Sequence, residues 1–257
     1  MEKNLSDKII LITGGTSRLG SAFVRRALGG GARVLFTYHT HTAAAKTLMG
    51  EGAEGFPLDL ADMRAIDRFA KTVKEKMPAL DVLIHNAALV RDHTIQNMSE
   101  QEWDEVLTVN LKAPYYLTKK LLPLLLKARK SVIGNPAMAA NDGVAKIFMI
   151  TSRVALSGGF GVSNYAAAKA GLIGLARSLA AELGKKQILV NAVNPGFMKS
   201  RMTENLPPEV VERNLAASPL GRLSEPDEVA EFLAFLCSDR MTQVTGQVFN
   251  YDSRKMS

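Results

Sequence analysis

The sequence predicts an α/β fold: one domain over residues 1–257, built on a doubly wound parallel sheet with helices on both faces. Three observations carry that expectation. Short apolar runs alternate with amphipathic helical segments along the whole chain, a pattern that calls for parallel strands joined by helical crossovers. A glycine-rich turn, Thr13-Gly14-Gly15-Thr16-Ser17-Arg18-Leu19-Gly20, joins the first apolar run to the first helix. Residues able to do chemistry, among them Thr13, Tyr38, Asn86, Ser152 and Asn194, fall at the carboxyl ends of strands, where ligands bind in such sheets.

In chain order, residues 9–13 (IILIT) read as an apolar strand and 20–28 as a helix. Residues 33–38 form the next strand and 43–50 the next helix. A weaker strand, 53–58, is followed by a helix from 62 to about 76, and 82–85 (VLIH) is again a strand. Ser99 and Glu102 form a capping box that opens a helix. It continues past Asn110 to about 127, kinked or interrupted at Pro114. Strand 146–151, helix 165–183, strand 188–193, helix 225–237 and strand 247–251 complete the pattern. No Pro/Gly/Ser linker divides the chain. Two connections are long: 131–143 (SVIGNPAMAANDG), a flap or surface decoration, and 197–219, whose Pro207-Pro208 and Met/Leu content suit a lid over an apolar substrate.

Composition narrows the function. The chain has 257 residues and is 47% apolar, ordinary for a globular protein with a substantial core. No apolar run is long enough for a membrane span, and the first eight residues lead almost directly into a strand, which leaves no room for a signal peptide. Cys237 is the single cysteine; on an amphipathic segment it reads as a buried structural thiol. A cytoplasmic location is expected. The net charge is +7, yet there is no basic run or aromatic-interleaved patch of the kind that binds nucleic acid. The charge fits attraction to an anionic ligand, either a phosphorylated cofactor or an acidic carrier protein.

Three sets of residues carry chemistry. The glycine-rich turn allows close backbone approach, and the helix that follows offers its N-terminus to a phosphate. The second strand ends Thr37-Tyr38-His39-Thr40-His41, without an acid. A carboxylate at that place favours a dinucleotide lacking the 2′-phosphate. Its absence, with Arg18, His39, Ser17 and Thr40 at hand, predicts NADP(H). Finally, Tyr165 precedes Lys169 by four residues on a predicted helix, so both side chains share one face. A cation one turn away is expected to lower the phenol's pKa and ready it as a proton donor. Ser152 adds a third hydroxyl.

Taken in order and at their spacing, Thr13-Gly14 with Gly20, Asp59-Leu60, Asn86-Ala87, Asn110, Ser152, Tyr165 with Lys169, and Asn194-Pro195-Gly196 resemble the short-chain dehydrogenases/reductases over nearly the whole chain. The resemblance implies a Rossmann-type fold and a set of roles. Tyr165 would be the proton donor or acceptor. Lys169 would lower its pKa and bind the nicotinamide ribose. Ser152 would hold the substrate oxygen, and Asn110 would support a water relay to the lysine. Asp59 and Leu60 would flank the adenine. Asn86, with Ala87 and Ala88, would lie on the adenosine side. Pro195, Gly196 and Phe197 would lie beside the nicotinamide, and Ser200 would keep a hydroxyl for its carboxamide. No metal is implied.

There are departures. Arg18 stands where the family's pattern has a glycine, and His85-Asn86-Ala87-Ala88 replaces the usual Asn-Asn-Ala-Gly. Asp252-Ser253-Arg254 replaces a C-terminal Gly-Gly. Within the family, the run from Asn164 to Gly174 and Val244-Thr245-Gly246-Gln247-Val248 look most like 3-oxoacyl-carrier-protein reductases. That likeness implies reduction of a 3-oxoacyl thioester on acyl carrier protein, with Lys185, Lys186, Arg129 and Lys130 as candidate docking cations, and a homo-oligomer, tetramer or dimer. Arg18 and Tyr38-His39 also resemble pteridine reductases, although Ser152 stands where those usually carry an acid. A third reading is a cofactor-binding sensor without turnover, against which the intact Ser152, Tyr165 and Lys169 speak.

Overall fold

The structure, a computed structural model, describes residues 4–128, 144–198 and 207–254. Seven parallel strands form its sheet: β1 (Ile9–Ile12), β2 (Arg33–Tyr38), β3 (Glu54–Pro57), β4 (Val82–His85), β5 (Ala145–Ile150), β6 (Ile188–Asn194) and β7 (Val248–Asn250). Their spatial order is β3-β2-β1-β4-β5-β6-β7. The order reverses between β1 and β4, which register Ile10 against Val82 and Ile12 against Ile84. A crevice therefore opens beyond the carboxyl ends of these two strands.

Strand side chains alternate between faces, and each face carries its own core. Leu11, Leu35, Leu83, Ile147 and Val190 point to one side, under α3 (Met63–Lys76), α5 (Ala113–Ala128) and α7 (Ser163–Leu183). Ile10, Ile12, Ile84, Phe148 and Val193 point to the other, under α1 (Arg18–Gly29), α2 (Thr42–Gly50) and a helix near the C-terminus, Pro226–Cys237. Cys237 is fully buried in that second core. Lys146 is a cation in an otherwise apolar strand. Its ammonium donates to the carbonyls of Leu236 and Ser238 at the end of that helix, and burial pushes its pKa down to about 8.

The expected strands and helices are present within about two residues of their predicted limits, the uncertainty usual at element ends. Helix α1 begins earlier than expected because Ser17 caps it, accepting from the Gly20 N–H at 3.0 Å. The Ser99–Glu102 capping box opens α4 (Glu100–Leu107) as read. The break expected at Pro114 lies just before it, as a π turn over Thr108–Lys112. Pro114 has no N–H for the Asn110 carbonyl, so the α-helical ladder cannot run through. A short α6 (Val154–Ser157) follows β5, and α8 (Pro208–Ala216) lies within the expected lid; the C-terminal helix is α9. The 131–143 loop, Ser200, Arg129 and Lys130 lie outside the described residues. No described helix is long and apolar enough to cross a membrane.

Candidate active site

The glycine-rich turn is pressed against the loop after β4. Gly14 has φ +65°, and a Cβ there would sit 2.8 Å from the Ala87 Cα. Asn86 ties the two segments together. Its amide donates to the carbonyls of Thr13 and Gly14, each at 3.0 Å, and to the Ser17 hydroxyl at 3.1 Å. Thr13 Oγ1 accepts in return from the N–H groups of Asn86 and Ala87. Asn86 therefore shapes the cradle, while Ala88 continues the loop, half-buried. Thr16 and Leu19 are buried, so only their backbone N–H groups would be open to a ligand. Arg18 is exposed on the first turn of α1, which carries no acid. A helix N-terminus with a cation and no carboxylate suits a phosphate.

Across the groove, Tyr38 ends β2 and His39 and Thr40 follow it, with His39 Nε2 3.9 Å from an Asp59 carboxylate oxygen. Asp59 also accepts from Ala61 N–H at 2.8 Å, and Leu60 is buried beside it. A cavity of about 370 Å³ opens here, lined by His39, Phe56, Leu58, Asp59 and Arg68. It lies beyond the carboxyl ends of β2 and β3, where the adenosine end of a dinucleotide would sit. The residues present fit such a cofactor: the cradle at Gly14 admits no side chain, and the end of β2 offers an imidazole where a carboxylate would repel a 2′-phosphate.

The chemistry is set at the ends of β5 and α7. Lys169 is buried, and its ammonium donates to the Ile150 carbonyl at 2.8 Å. Thr151 Oγ1 donates to the Lys169 carbonyl at 3.0 Å. The strand end and the helix are thus clipped together. Ser152 follows at once, half-buried, ahead of α6, which packs on α7. The Lys169 Nζ lies 5.5 Å from the centre of the Tyr165 ring, so the two side chains share a face as expected.

The predicted drop in the phenol's pKa is not what the protein alone produces. Burial raises the pKa of Tyr165 and the Asp92 carboxylate raises it further. Lys169 is itself pushed down to about 8 by burial. The ammonium is directed at the Ile150 carbonyl, and desolvation outweighs its attraction for a phenolate.

Asn110 is fully buried on the π turn, which packs against α7. Its Oδ1 accepts from Leu89 N–H at 2.8 Å and its Nδ2 donates to the Leu89 carbonyl at 2.7 Å. The side-chain amide is thus engaged as a loop clamp, and Pro114 offers no N–H to its backbone carbonyl. At the end of β6, Pro195 leads into Gly196, at φ +81°, where a Cβ would meet the Tyr251 carbonyl at 2.4 Å. The Phe197 ring then lies 5.3 Å from the Arg254 guanidinium. Arg254 pairs with Asp252 at 2.5 Å and donates to Asn214 of α8. The unusual C-terminal residues therefore tie the chain end to α8 and to the Pro-Gly-Phe loop. Their departure from Gly-Gly was the sequence signal. Asp92 had no such signal. Its loop is held by Asn164, buried next to Tyr165, whose amide donates to the Arg91 carbonyl at 2.9 Å. Lys185 and Lys186 lie at the opposite edge of the sheet, where β6 begins. At 1.5 Å per residue they are about 30 Å of helix from Tyr165, too far to dock a carrier at this mouth.

A phosphate cradle and a hydroxyl–phenol–ammonium set on one edge of a parallel sheet together define an oxidoreductase. A family model described as Enoyl-(Acyl carrier protein) reductase matches residues 15–253. The chain is 36% identical to 3-oxoacyl-(acyl-carrier-protein) reductase FabG of Thermotoga maritima, over 96% of this chain and 97% of that protein. It is 32% identical to FabG of Escherichia coli, over 96% of each. Among solved structures, the Pseudomonas aeruginosa RhlG/NADP active-site complex superposes with a TM-score of 0.86 at 30% identity, covering 98% of this chain and 97% of that one. A doubly substituted mutant of a Serratia marcescens short-chain dehydrogenase/reductase gives a TM-score of 0.85 at 23% identity, covering 97% of this chain and 98% of that one, a likeness of fold. The chain belongs to the short-chain dehydrogenase/reductase family, and it is a carbonyl reductase of that family.

Proposed function

We propose that the protein reduces the 3-oxo group of an acyl thioester carried on acyl carrier protein, using NADPH. The observation that carries this reading is the shared sheet edge: Ser152, Tyr165 and Lys169 stand beyond β5, and a helix N-terminus whose first turn carries no acid stands beyond β1. The FabG relatives support the substrate, and the RhlG/NADP complex supports the cofactor.

When bound, the dinucleotide supplies a hydride. Gly14, Ser17, Arg18 and Gly20 hold its phosphates, and Tyr38, His39, Thr40, Asp59 and Leu60 the adenosine end. Gly196 and Phe197 shape the nicotinamide end. Ser152 donates a hydrogen bond to the substrate oxygen, and Tyr165 gives that oxygen a proton as negative charge develops on it. Lys169, charged at pH 7, stabilises the phenolate left behind. The Asn110 carbonyl, denied its usual helical donor by Pro114, holds water that restores the proton. The net charge of +7 favours an acidic carrier. Self-association into a dimer or tetramer through the faces around Asn110 and Tyr165 accompanies this reading.

The test is NADPH oxidation with 3-oxoacyl, 2-enoyl and free small-ketone substrates and a pterin, with NADH in parallel. Preference for the 3-oxoacyl carrier substrate and NADPH is expected, with salt weakening the carrier preference. Equal rates on carrier-bound and free ketones overturn the carrier. Preference for the pterin favours the reading that Arg18 and Tyr38-His39 suggest.

A further inference from the structure

His85 ends β4 and is 2% exposed. By strand alternation its imidazole points to the same side as Leu83, into the layer between the sheet and α5 and α7. Its Nε2 lies 2.8 Å from the Thr118 hydroxyl on α5. Its Nδ1 is buried and meets no hydrogen-bonding group of the protein. Buried polar atoms are nearly always satisfied, by ordered water where protein does not reach. Lys169 stands on α7, which covers this layer, and its charge acts on the imidazole. The ammonium has three N–H donors, of which one goes to the Ile150 carbonyl.

We propose that His85 is a positioning residue for Lys169: its Nδ1 accepts a hydrogen bond from a buried water, and that water accepts one from the Lys169 ammonium. This rests on the role given to Lys169 above. The donors then run in one direction, from Lys169 to water to Nδ1, and from Nε2–H to the Thr118 hydroxyl. The opposite tautomer would aim an N–H toward a cation. Burial and the Lys169 charge keep the ring neutral, its pKa pushed down to about 3. Among the described residues, Lys169 is the charged group whose field acts on His85. Burial is what acts on Lys169; Tyr165, one turn before it on α7, feels Asp92 from the loop after β4, and Tyr116 of α5, on the same face, donates to Asp67.

His85→Leu removes the acceptor and His85→Asn supplies another. In the pH profile of ketone reduction, His85→Leu should move the midpoint of the alkaline limb down by about one pH unit, the scale of a lost charge-assisted hydrogen bond. His85→Asn should restore it, with NADPH affinity unchanged in both. A His85→Leu enzyme with the wild-type midpoint overturns the proposal, even if its melting temperature falls. Should His85→Leu not fold, or the wild type reduce no carbonyl, ¹⁵N NMR of the wild-type imidazole still decides. A bare Nδ1 with Nε2 protonated supports the proposal and a protonated Nδ1 overturns it. Inactivity of the wild type counts against the assigned function alone.

Discussion

Replacing Lys169 by Met is expected to leave the protein more stable and nearly inactive. Burial lowers the Lys169 pKa from 10.5 to about 8. The folded state therefore binds that proton less tightly than the unfolded chain does. Below pH 8 both states hold the proton, and the fold carries the full cost of a buried charge. At about 1.4 kcal/mol per pH unit, that cost is about 3 kcal/mol. Met fills similar space without the charge. It leaves the Ile150 carbonyl without its donor, which returns about 1 kcal/mol of destabilisation. The net gain is about 2 kcal/mol, or about 4 °C in melting temperature at about 2 cal/mol/K per residue of unfolding entropy.

The pH dependence separates this from ordinary repacking. Between about pH 8 and 10.5 the unfolded chain holds a proton that the folded protein has released, so wild-type stability rises with pH across that window. Lys169→Met lacks this rise. Lys146, also near 8, titrates in both proteins and cancels in their difference. Thermal unfolding followed by circular dichroism from pH 7 to pH 10 gives the comparison. The reasoning fails if the variant melts lower at pH 7, or if the gap between the two proteins does not shrink toward pH 10.

Tyr165→Phe should lower kcat by about 10²- to 10⁴-fold, the usual worth of a positioned general acid, with NADPH binding retained; full function in this variant would favour the sensor reading. Arg18→Ala should weaken NADPH by about tenfold, the scale of one charged hydrogen bond, and spare NADH; an equal loss for both cofactors would place Arg18 away from the 2′-phosphate. Gly14→Ala combines a φ of +65° with a 2.8 Å contact and should cost about 1–3 kcal/mol together with cofactor affinity. An unchanged melting temperature would mean that the turn can shift.

The sheet was legible because its signals are local. Apolar runs such as 82–85 (VLIH) are short and bounded, and Ser17 and Ser99 cap their helices through neighbours three residues away. The shared face of Tyr165 and Lys169 follows from helical spacing alone. What escaped the sequence is set by contacts distant in the chain. Asp92 acts on Tyr165 from a loop 73 residues away, and that loop's position depends on Asn164 bonding the Arg91 carbonyl. The Asn110 amide looks free in the sequence until Leu89 folds back to occupy both its ends. The pKa of Tyr165 was read in the wrong direction because the cation's spacing is written in the sequence and the desolvation is not.

Burial drives Tyr165 and Lys169 of α7 toward neutrality, and the result favours one direction of chemistry. Tyr165, held above its ordinary value, keeps its proton through the neutral range. Lys169, lowered to about 8, still carries its charge at pH 7. The resting pair is therefore a phenol beside an ammonium, the state that can protonate an oxygen gaining negative charge. Oxidation of an alcohol needs the phenolate instead, and burial and Asp92 both oppose it. Reduction should hold to about pH 8 and fall above it as Lys169 discharges, while oxidation should rise toward pH 8 and level off once the ammonium that stabilises the phenolate is lost. Initial rates in both directions from pH 6 to pH 10 test this, and two profiles rising and falling together would mean that neither group sets the direction.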